Sequence, residues 1–343
     1  MKLFENDLTS TNKNDITYKG ENKLLKIIDF TERHIEQAIY IAKDNYENER
    51  KCINILPVID ELPDFSPFAE NGLGVSAFDG EKMVGYLCCF EPCENAFGTT
   101  NDIGVYSPIY GNGIIEGNHI YTFARMYQEA AKKWVSLGAT NHAMTFYAHN
   151  KYLQNQLYRY GFGLRCIDAI RAMNEVDIEE DSQIVLTELE HSEFHLVFSI
   201  GLLLDAHLRN SPMFMCRLQE EIEVNHEYKF AEWQIQQNNR YFAAKDNEKI
   251  IAYIKISNEG ENFVSELDSV INICGAYCFP EYRGQGILQN LLNYLIKKLH
   301  NENYQLLGVD YESFNPTASG FWLKYFIEYT QSVVRRVDDR YIK

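Results

Sequence analysis

Apolar and polar positions follow two periods along this chain, and their order predicts strands and helices. Residues 24–30 form a short apolar run typical of a strand, and apolar positions recur at helical spacing through 32–46. Further on, the apolar segments 75–78 and 83–90 flank Asp79-Gly80, a pair typical of a tight hairpin turn. The chain therefore opens with a strand, a helix and a hairpin.

The second half of the sequence repeats this order. It predicts a strand at 184–187, a helix at 191–208 that resumes at 213–224, and a hairpin between 241 and 256. The two hairpins align, 79–87 beside 246–254. Shared order over this length favours a duplicated domain.

The repeat continues downstream. The segment PIYGNGI at 108–114 aligns with PEYRGQGI at 280–287, and the first copy lacks the arginine. We predict a helix after each segment, 117–136 and 287–300, then a strand, 139–147 and 304–312. An asparagine follows each strand, and these are Asn150 and Asn315.

The length of the chain and the position of its polar, acidic stretch predict the domain boundaries. The chain's 343 residues suit two domains, and we predict an N-terminal arm at 1–22, a first domain at 23–175 and a second at 183–343. The polar, acidic stretch 174–182 reads as the linker. Mixed strands and helices in this order predict an α/β fold.

Net charge argues against some functions. The formal charge of −17 is opposite to what a nucleic-acid backbone attracts, so we expect no nucleic-acid partner. An acidic surface favours a cationic substrate instead. The first residues, MKLFENDLTSTNKND, have no apolar signal core, and no apolar run is long enough to span a membrane. We therefore expect a cytoplasmic protein without a membrane partner.

The cysteines and histidines predict no metal site. The eight cysteines form no C-x-x-C pair, and no His/Cys cluster has the spacing of a zinc site. Several cysteines lie in apolar runs, as buried reduced thiols do.

The segment around Arg283 carries the clearest chemistry. A strand at 271–279 ends at Pro280, Gly284 and Gly286 form a tight turn, and an amphipathic helix follows. Such a turn aims backbone N–H groups and the helix dipole at a phosphate. Neither a P-loop nor a dinucleotide fingerprint is present.

These residues resemble the GNAT acyltransferase superfamily. Segment 280–287 is similar to its acetyl-CoA turn, [RQ]-x-x-G-x-[GA], with Leu288 where the family usually has Gly or Ala. Residues 315–327 are similar to its N-x-x-A-x-x-F-Y-x-K-x-G-F helix, with Trp322 in place of tyrosine. The element order from 183 to 338 agrees, and 23–173 resembles a degenerate copy of the same domain.

The resemblance implies two tandem GNAT-like domains, each with a splayed mixed sheet flanked by helices. It implies acetyl-CoA as cofactor, bound by the backbone of Cys278 and Phe279, by the turn and by Asn315. The predicted turn residues are Arg283, Gly284, Gln285, Gly286, Ile287 and Leu288. Asn315 also suits a helix cap before Pro316, and both roles are compatible. The first copy is expected to bind acyl-CoA poorly or not at all.

Transfer to an amine needs a base for the ammonium proton and an acid for the leaving thiolate. The family's usual acid position holds Trp322, which has no titratable proton, so Tyr325 is the predicted acid, although a packed core role suits it too. Glu312 is the predicted base, with Glu266 and Asp268 as rivals and water as a further option.

The leading hypothesis is therefore an acetyl-CoA-dependent N-acyltransferase acting on a small cationic amine. The alternative is a non-catalytic acyl-CoA-binding or regulatory protein, because the family tyrosine is missing. Homodimer formation stays open.

Overall fold

The computed structural model describes residues 16–20, 23–94, 102–115, 121–178, 184–215, 227–338 and 340. They form two compact units. The first unit holds the described residues up to Asn54, then 58–165, and those from Thr330 onward. The second holds Ile55–Pro57 and Cys166–Tyr329.

Each unit thus takes a last strand from the other half of the sequence. Residues 166–178 belong to the second unit, and the C-terminal residues belong to the first. The predicted ranges 23–175 and 183–343 remain a prediction about duplicated segments. The compact units do not follow those ranges, because strand pairing over long sequence separations, and not chain order, builds each sheet.

The first unit contains strands and helices in nearly the predicted order. Its strands are β1 (Ile16–Gly20), β2 (Lys23–Asp29), β3 (Val75–Asp79), β4 (Lys82–Leu87), β5 (Gly104–Ser107), β6 (Asn112–Ile114) and β7 (Asn141–Tyr147). Its helices are α1 (Ile35–Cys52), α2 (Ser66–Glu70), α3 (Thr122–Ser136) and α4 (Lys151–Arg159). The β1 strand places part of the predicted N-terminal arm in the sheet, and residues 1–15 and 21–22 lie outside the described residues.

The strands of the first unit make two groups. One sheet has the order β1-β2-β3-β4-β6, with antiparallel neighbours throughout. In the other group, β5 pairs with β7 in parallel, and β7 pairs antiparallel with Thr330–Arg336. Helix α3 buries Phe123, Met126 and Trp134 on its one apolar face.

The second unit is built on one mixed sheet. Its strands are the Cys166–Ala172 part of β8 (Gly163–Ala172), β9 (Val185–Glu188), β10 (Arg240–Asp246), β11 (Lys249–Ser257), β12 (Val270–Cys278), β13 (Leu306–Glu312) and the start of β14 (Ile327–Arg336). Within this unit the strand order is β8-β13-β12-β11-β10-β9. The helices are α5 (Phe198–Arg209), α6 (Glu227–Gln236), α7 (Ile287–Asn301) and α8 (Pro316–Trp322).

Two expectations about connecting segments have different outcomes. Residues 211–213 form a turn, and the remainder of the predicted 213–224 helix lies outside the described residues from 216 on. In the predicted linker, the backbone N–H of Val176 donates to the Asn293 side chain at 2.9 Å, so this part packs on α7. Residues 179–183 lie outside the described part.

Candidate functional site

Two parallel strands of the second unit diverge and leave a gap between them. β12 and β13 pair only from Val270 to Ile273 and from Leu306 to Val309. Beyond that point β12 stays with β11, and β13 stays with β8. The register of β12 shifts at this same place, between its partners Lys255 and Ile256. The sheet therefore splays at Cys274 and Asp310.

The glycine turn precedes α7 at the end of β12. Gly284 and Gly286 have φ of 77° and 80°, a backbone conformation that costs other residues energy. The first N–H groups of α7 have no intrahelical acceptor, as in any helix. No side chain caps this N-terminus either. A Cβ on Gly284 would meet no atom within 4 Å. The turn is thus an open array of donors, which is the geometry that an anionic phosphate fits.

Arg283 braces this turn against the strand. Its Nε donates to the Cys278 carbonyl at 2.9 Å, and its guanidinium lies 5.5 Å from the centre of the Tyr277 ring. The backbone N–H of Phe279 donates to the Ile251 carbonyl at 3.1 Å. Two of the backbone groups predicted to meet the cofactor arm are therefore engaged inside the protein. The cofactor role of Cys278 and Phe279 stays a prediction.

The other predicted cofactor residues surround the turn. Gln285 donates from its side chain to the Glu281 carbonyl at 2.7 Å, Ile287 is buried and Leu288 is half-buried. Asn315 caps α8, because its Oδ1 accepts from the backbone N–H groups of Thr317 and Ala318. The capping role predicted for Asn315 is confirmed, and its cofactor contact stays a prediction.

A cavity of about 230 Å³ opens where the strands splay. Four carboxylates line it, those of Asp168, Glu259, Glu261 and Asp310, against one basic side chain, Lys255. An excess of negative charge around an enclosed space favours a cationic occupant.

Asp310 occupies the centre of this acidic group. Asp310 and Asp168 face each other directly across β13 and β8, and the Asp310 side chain is exposed to the cavity. Desolvation by the surrounding protein raises the pKa of Asp310 to about 8, with further contributions from the charges of Glu261 and Asp168. Asp310 therefore exchanges its proton near neutral pH.

Asp168 is held more tightly than Asp310. Its side chain is buried and accepts a hydrogen bond of 2.9 Å from the Asn262 amide. The same amide nitrogen lies 2.9 Å from the Tyr329 hydroxyl. Asn262, which is itself hydrogen-bonded to Tyr329, thus fixes the orientation of the Asp168 carboxylate.

The predicted acid and base lie in different surroundings. Glu312 is half-buried and lies two residues after Asp310, so the two share a face of β13. Tyr325 packs on Phe321 with ring centres 5.2 Å apart and contributes to the electrostatic environment of Arg171. Arg171 lies three residues after Asp168 on β8, so its side chain projects from the opposite face of the sheet. The roles of Glu312 and Tyr325 stay predictions.

The remaining candidates from the sequence lie elsewhere. The side chains of Glu266 and Asp268 are exposed and do not line the cavity. Trp322, at the family's tyrosine position, is buried and packs edge-on against Phe326.

The first unit differs from the sequence alignment at its glycines. The alignment predicts a turn at Gly111-Asn112-Gly113 directly before a helix, and the structure has a short strand there instead. Asn112 and Gly113 lie in β6 and pair with β4. Asn112 also donates to the carbonyls of Pro108 and Thr145 at 3.1 and 3.0 Å, which ties β6 to β7. The residues just before α3, 116–120, lie outside the described part.

Sequence reasoning missed Asp168 and Asp310. A signal existed, since each is a lone carboxylate inside a mainly apolar strand segment, CIDAIRA and LLGVD. Such charges are rarely buried without a reason. That they face each other depends on pairing between two strands that are far apart in the chain, since the aspartates are 142 residues apart (310 − 168), and no local pattern reveals it.

The described residues contain no candidate metal cluster and no candidate membrane span. Among them, no group of three or more His, Cys, Asp or Glu side chains is arranged to hold a metal ion. In that same part of the chain, no helix combines the length and apolar character needed to cross a membrane.

Part of the second unit is similar to a known protein family. Residues 206–326 match the model described as the acetyltransferase (GNAT) family. A GCN5-related N-acetyltransferase from Sphaerobacter thermophilus aligns with a TM-score of 0.52 and 10% identity, over 91% of this chain and 95% of that one. At that identity the likeness shows the fold alone. No curated protein matches the sequence.

Two further solved structures are similar to this chain. A tandem GNAT protein from the clavulanic acid biosynthesis pathway aligns with a TM-score of 0.44 and 9% identity, over 91% of this chain and 98% of that one. A fungal glucosamine N-acetyltransferase region aligns with a TM-score of 0.47 and 11% identity, over 92% of this chain and 38% of that one. The predicted mixed, splayed fold is confirmed, and residues 206–326 match the acetyltransferase (GNAT) family model.

Proposed function

We propose that this chain is an acetyl-CoA-dependent N-acyltransferase that acetylates the amine of a small cationic acceptor. The observation that carries the proposal is the arrangement of the second unit. An open glycine turn lies at the end of β12, and an acidic cavity opens where β12 leaves β13. One feature suits an anionic cofactor and the other suits a cationic amine.

The turn residues fit the cofactor's phosphates. Gly284 and Gly286 keep the backbone open, and the N–H groups at the start of α7 supply donors next to a positive helix dipole. Arg283 adds a positive charge at the same turn. When bound, acetyl-CoA supplies an activated acetyl thioester. The protein binds and orients it and excludes water from the reacting centre.

The cavity suits the acceptor. Its four carboxylates outnumber its single lysine, and the exposed indole of Trp233 lies at its lining. Aromatic faces and carboxylates both attract ammonium groups. We expect small diamines or amino sugars to react faster than neutral or anionic amines of similar size.

In this proposal the first unit binds no cofactor. Its Asn112 joins β6 to β7, and α1 packs over Gly113, so the space that the splay provides in the second unit is filled here by side chains. The test compares one binding site with two: calorimetry with acetyl-CoA should give one site per chain, and two equal sites would contradict this assignment.

A thiol-release assay tests the enzyme itself. Purified chain, acetyl-CoA and a panel of cationic, neutral and anionic amines should release free thiol fastest with cationic members. The alternative is a non-catalytic acyl-CoA-binding protein, favoured by the buried Trp322 where the family usually has tyrosine. Saturable acetyl-CoA binding without turnover on any amine would support that alternative.

A further inference from the structure

We propose that Asp310 and Asp168 form a carboxyl dyad in the cavity, with Asp310 as the catalytic base and Asp168 as a positioning residue. This inference rests on the proposed acyl transfer. It also explains a feature of the fold, because Asp168 lies on β8, the last strand of the first half of the sequence. The first half thus supplies a side chain to the cavity of the second unit.

The register of β13 against β8 places the two aspartates opposite each other. Asp310 and Asp168 are direct partners in the antiparallel pair β13·β8, so their side chains share one face. Side chains in such positions have Cβ atoms about 5 Å apart. Two ionised carboxylates at that separation repel, and the pair favours a state in which one of them is protonated.

The position of Asp310 along β13 also matters. Asp310 is the first residue of β13 after the parallel pairing with β12 ends, so it lies where the strands open. Both aspartates line the cavity, together with Cys274 on the neighbouring strand β12. An amine would enter this space to reach a thioester bound between the strands. A base at Asp310 therefore lies on its path.

The two carboxyls differ in their surroundings. Asp168 is 7% exposed and held by the Asn262 amide, which is itself hydrogen-bonded to Tyr329. Asp310 is exposed to the cavity. Paired carboxyls in unlike surroundings take different roles, and the accessible one exchanges protons with the ligand.

The charges around Asp310 come from every neighbouring element. Desolvation is the main cause that raises the pKa of Asp310 to about 8, and the negative charges of Glu261 in the loop after β11, Asp168 on β8 and Glu312 on β13 add to it. Lys255 on β11 and the thiols of Cys166 and Cys274 line or border the same space. A base with this pKa takes a proton from an ammonium group more readily than an ordinary aspartate does.

The reaction balances with this dyad. The ammonium gives one proton to the Asp310 carboxylate, and the amine nitrogen then attacks the thioester carbonyl carbon and forms the N–C bond. The C–S bond breaks, and the thiolate takes the second proton of the attacking nitrogen to leave as a thiol. The proton on Asp310 passes to solvent, so one proton is released for each amide formed.

The pH profile of the rate tests the two roles. For the native chain with its best amine, we expect kcat to rise with pH through an apparent pKa near 8. Asp310→Asn should lower kcat by about 100-fold or more. Asp168→Asn should keep measurable activity and shift the apparent pKa downward by about one unit or more, because a neighbouring charge is removed. Glu227→Gln, on the exposed start of α6, is the control and should change neither quantity.

Thermal stability gives a second readout that needs no activity. Asp310 holds its proton more tightly in the folded chain than in the unfolded chain, so its contribution to stability is present below about pH 4 and is lost as pH rises towards 8. Asp310→Asn should remove this part of the decline in Tm between pH 5 and pH 9, and Asp168→Asn should reduce it.

The two readouts separate the proposals. If no amine is acetylated but Asp310→Asn flattens the decline in Tm, the acyl-transfer proposal fails while the coupled pair stands, and the dyad loses its catalytic role. If amines are acetylated and Asp310→Asn keeps the native rate and pH profile, the dyad is overturned. If Asp310→Asn does not fold by circular dichroism, Asp310→Glu replaces it, and an unshifted pH profile in Asp168→Asn still overturns the positioning role.

Discussion

Replacement of Arg283 by alanine should weaken acetyl-CoA binding severalfold, with about thirtyfold as the upper limit. The change removes the 2.9 Å hydrogen bond to the Cys278 carbonyl and the contact over the Tyr277 ring at 5.5 Å. A hydrogen bond from a charged donor contributes about 1.5 kcal/mol at the low end of its range, and an exposed cation–π contact about 0.5 kcal/mol. The low ends apply because Arg283 is exposed. These contacts hold the turn in one conformation before the ligand binds, so the full sum of about 2 kcal/mol reaches Kd only if the free turn becomes disordered without them. About 2 kcal/mol corresponds to about thirtyfold in Kd, which is the upper limit of the effect.

Calorimetric titration with acetyl-CoA measures this effect. Arg283→Lys keeps the positive charge but cannot form the same Nε hydrogen bond, so its Kd should fall between those of the native chain and the alanine variant. Arg159→Ala is the matched control, since Arg159 is an exposed arginine on α4 of the first unit that bonds only its helix neighbour Asn155 among the contacts described.

The reasoning is refuted if Arg283→Ala binds acetyl-CoA as tightly as the native chain, or if Arg159→Ala loses as much affinity. A loss in Arg283→Ala with no difference between lysine and arginine would show that charge alone matters. In that case the brace between the turn and β12 makes no contribution.

Other predictions concern stability. Gly113→Ala should destabilise the first unit by about 1–3 kcal/mol in urea unfolding, because its Cβ would lie 2.8 Å from the Tyr86 ring; Gly163→Ala, with no atom within 4 Å, should not. Asn315→Ala should cost about 1 kcal/mol through the lost cap of α8. Burial lowers the pKa of His142 to about 4, so its contribution to stability is present above about pH 6.5 and is lost as pH falls towards 4. His142→Asn should reduce that acid loss in thermal melts.

Local signals in the sequence were enough for many elements. The hairpin turn at Asp79-Gly80 and the cap at Asn315 appear where residue chemistry requires them. The turn at Gly284 and Gly286 was also predicted, because only a positive φ suits that backbone and glycine supplies it. Such features depend on a few neighbouring residues, so a single sequence reveals them.

The glycines of the two aligned segments have different roles for a physical reason. Gly111 and Gly113 look like turn glycines, yet glycine is needed at both positions because neighbouring atoms leave no room for a Cβ. A Cβ on Gly111 would lie 2.8 Å from the Pro108 ring, and one on Gly113 would lie 2.9 Å from Ile41. Glycine serves either a turn or a close approach, and only the neighbours in space tell which.

The sequence by itself indicated the resemblance to the acetyltransferase (GNAT) family, the order of strands and helices, and the open turn around Arg283. Each of these follows from periodicity or from residues close together in the chain. The tertiary structure alone decided that β8 belongs to the second unit and that Asp168 faces Asp310 across β13. Register between distant strands is set by the packing of the whole sheet, and for that reason the acidic cavity became visible only in the folded chain.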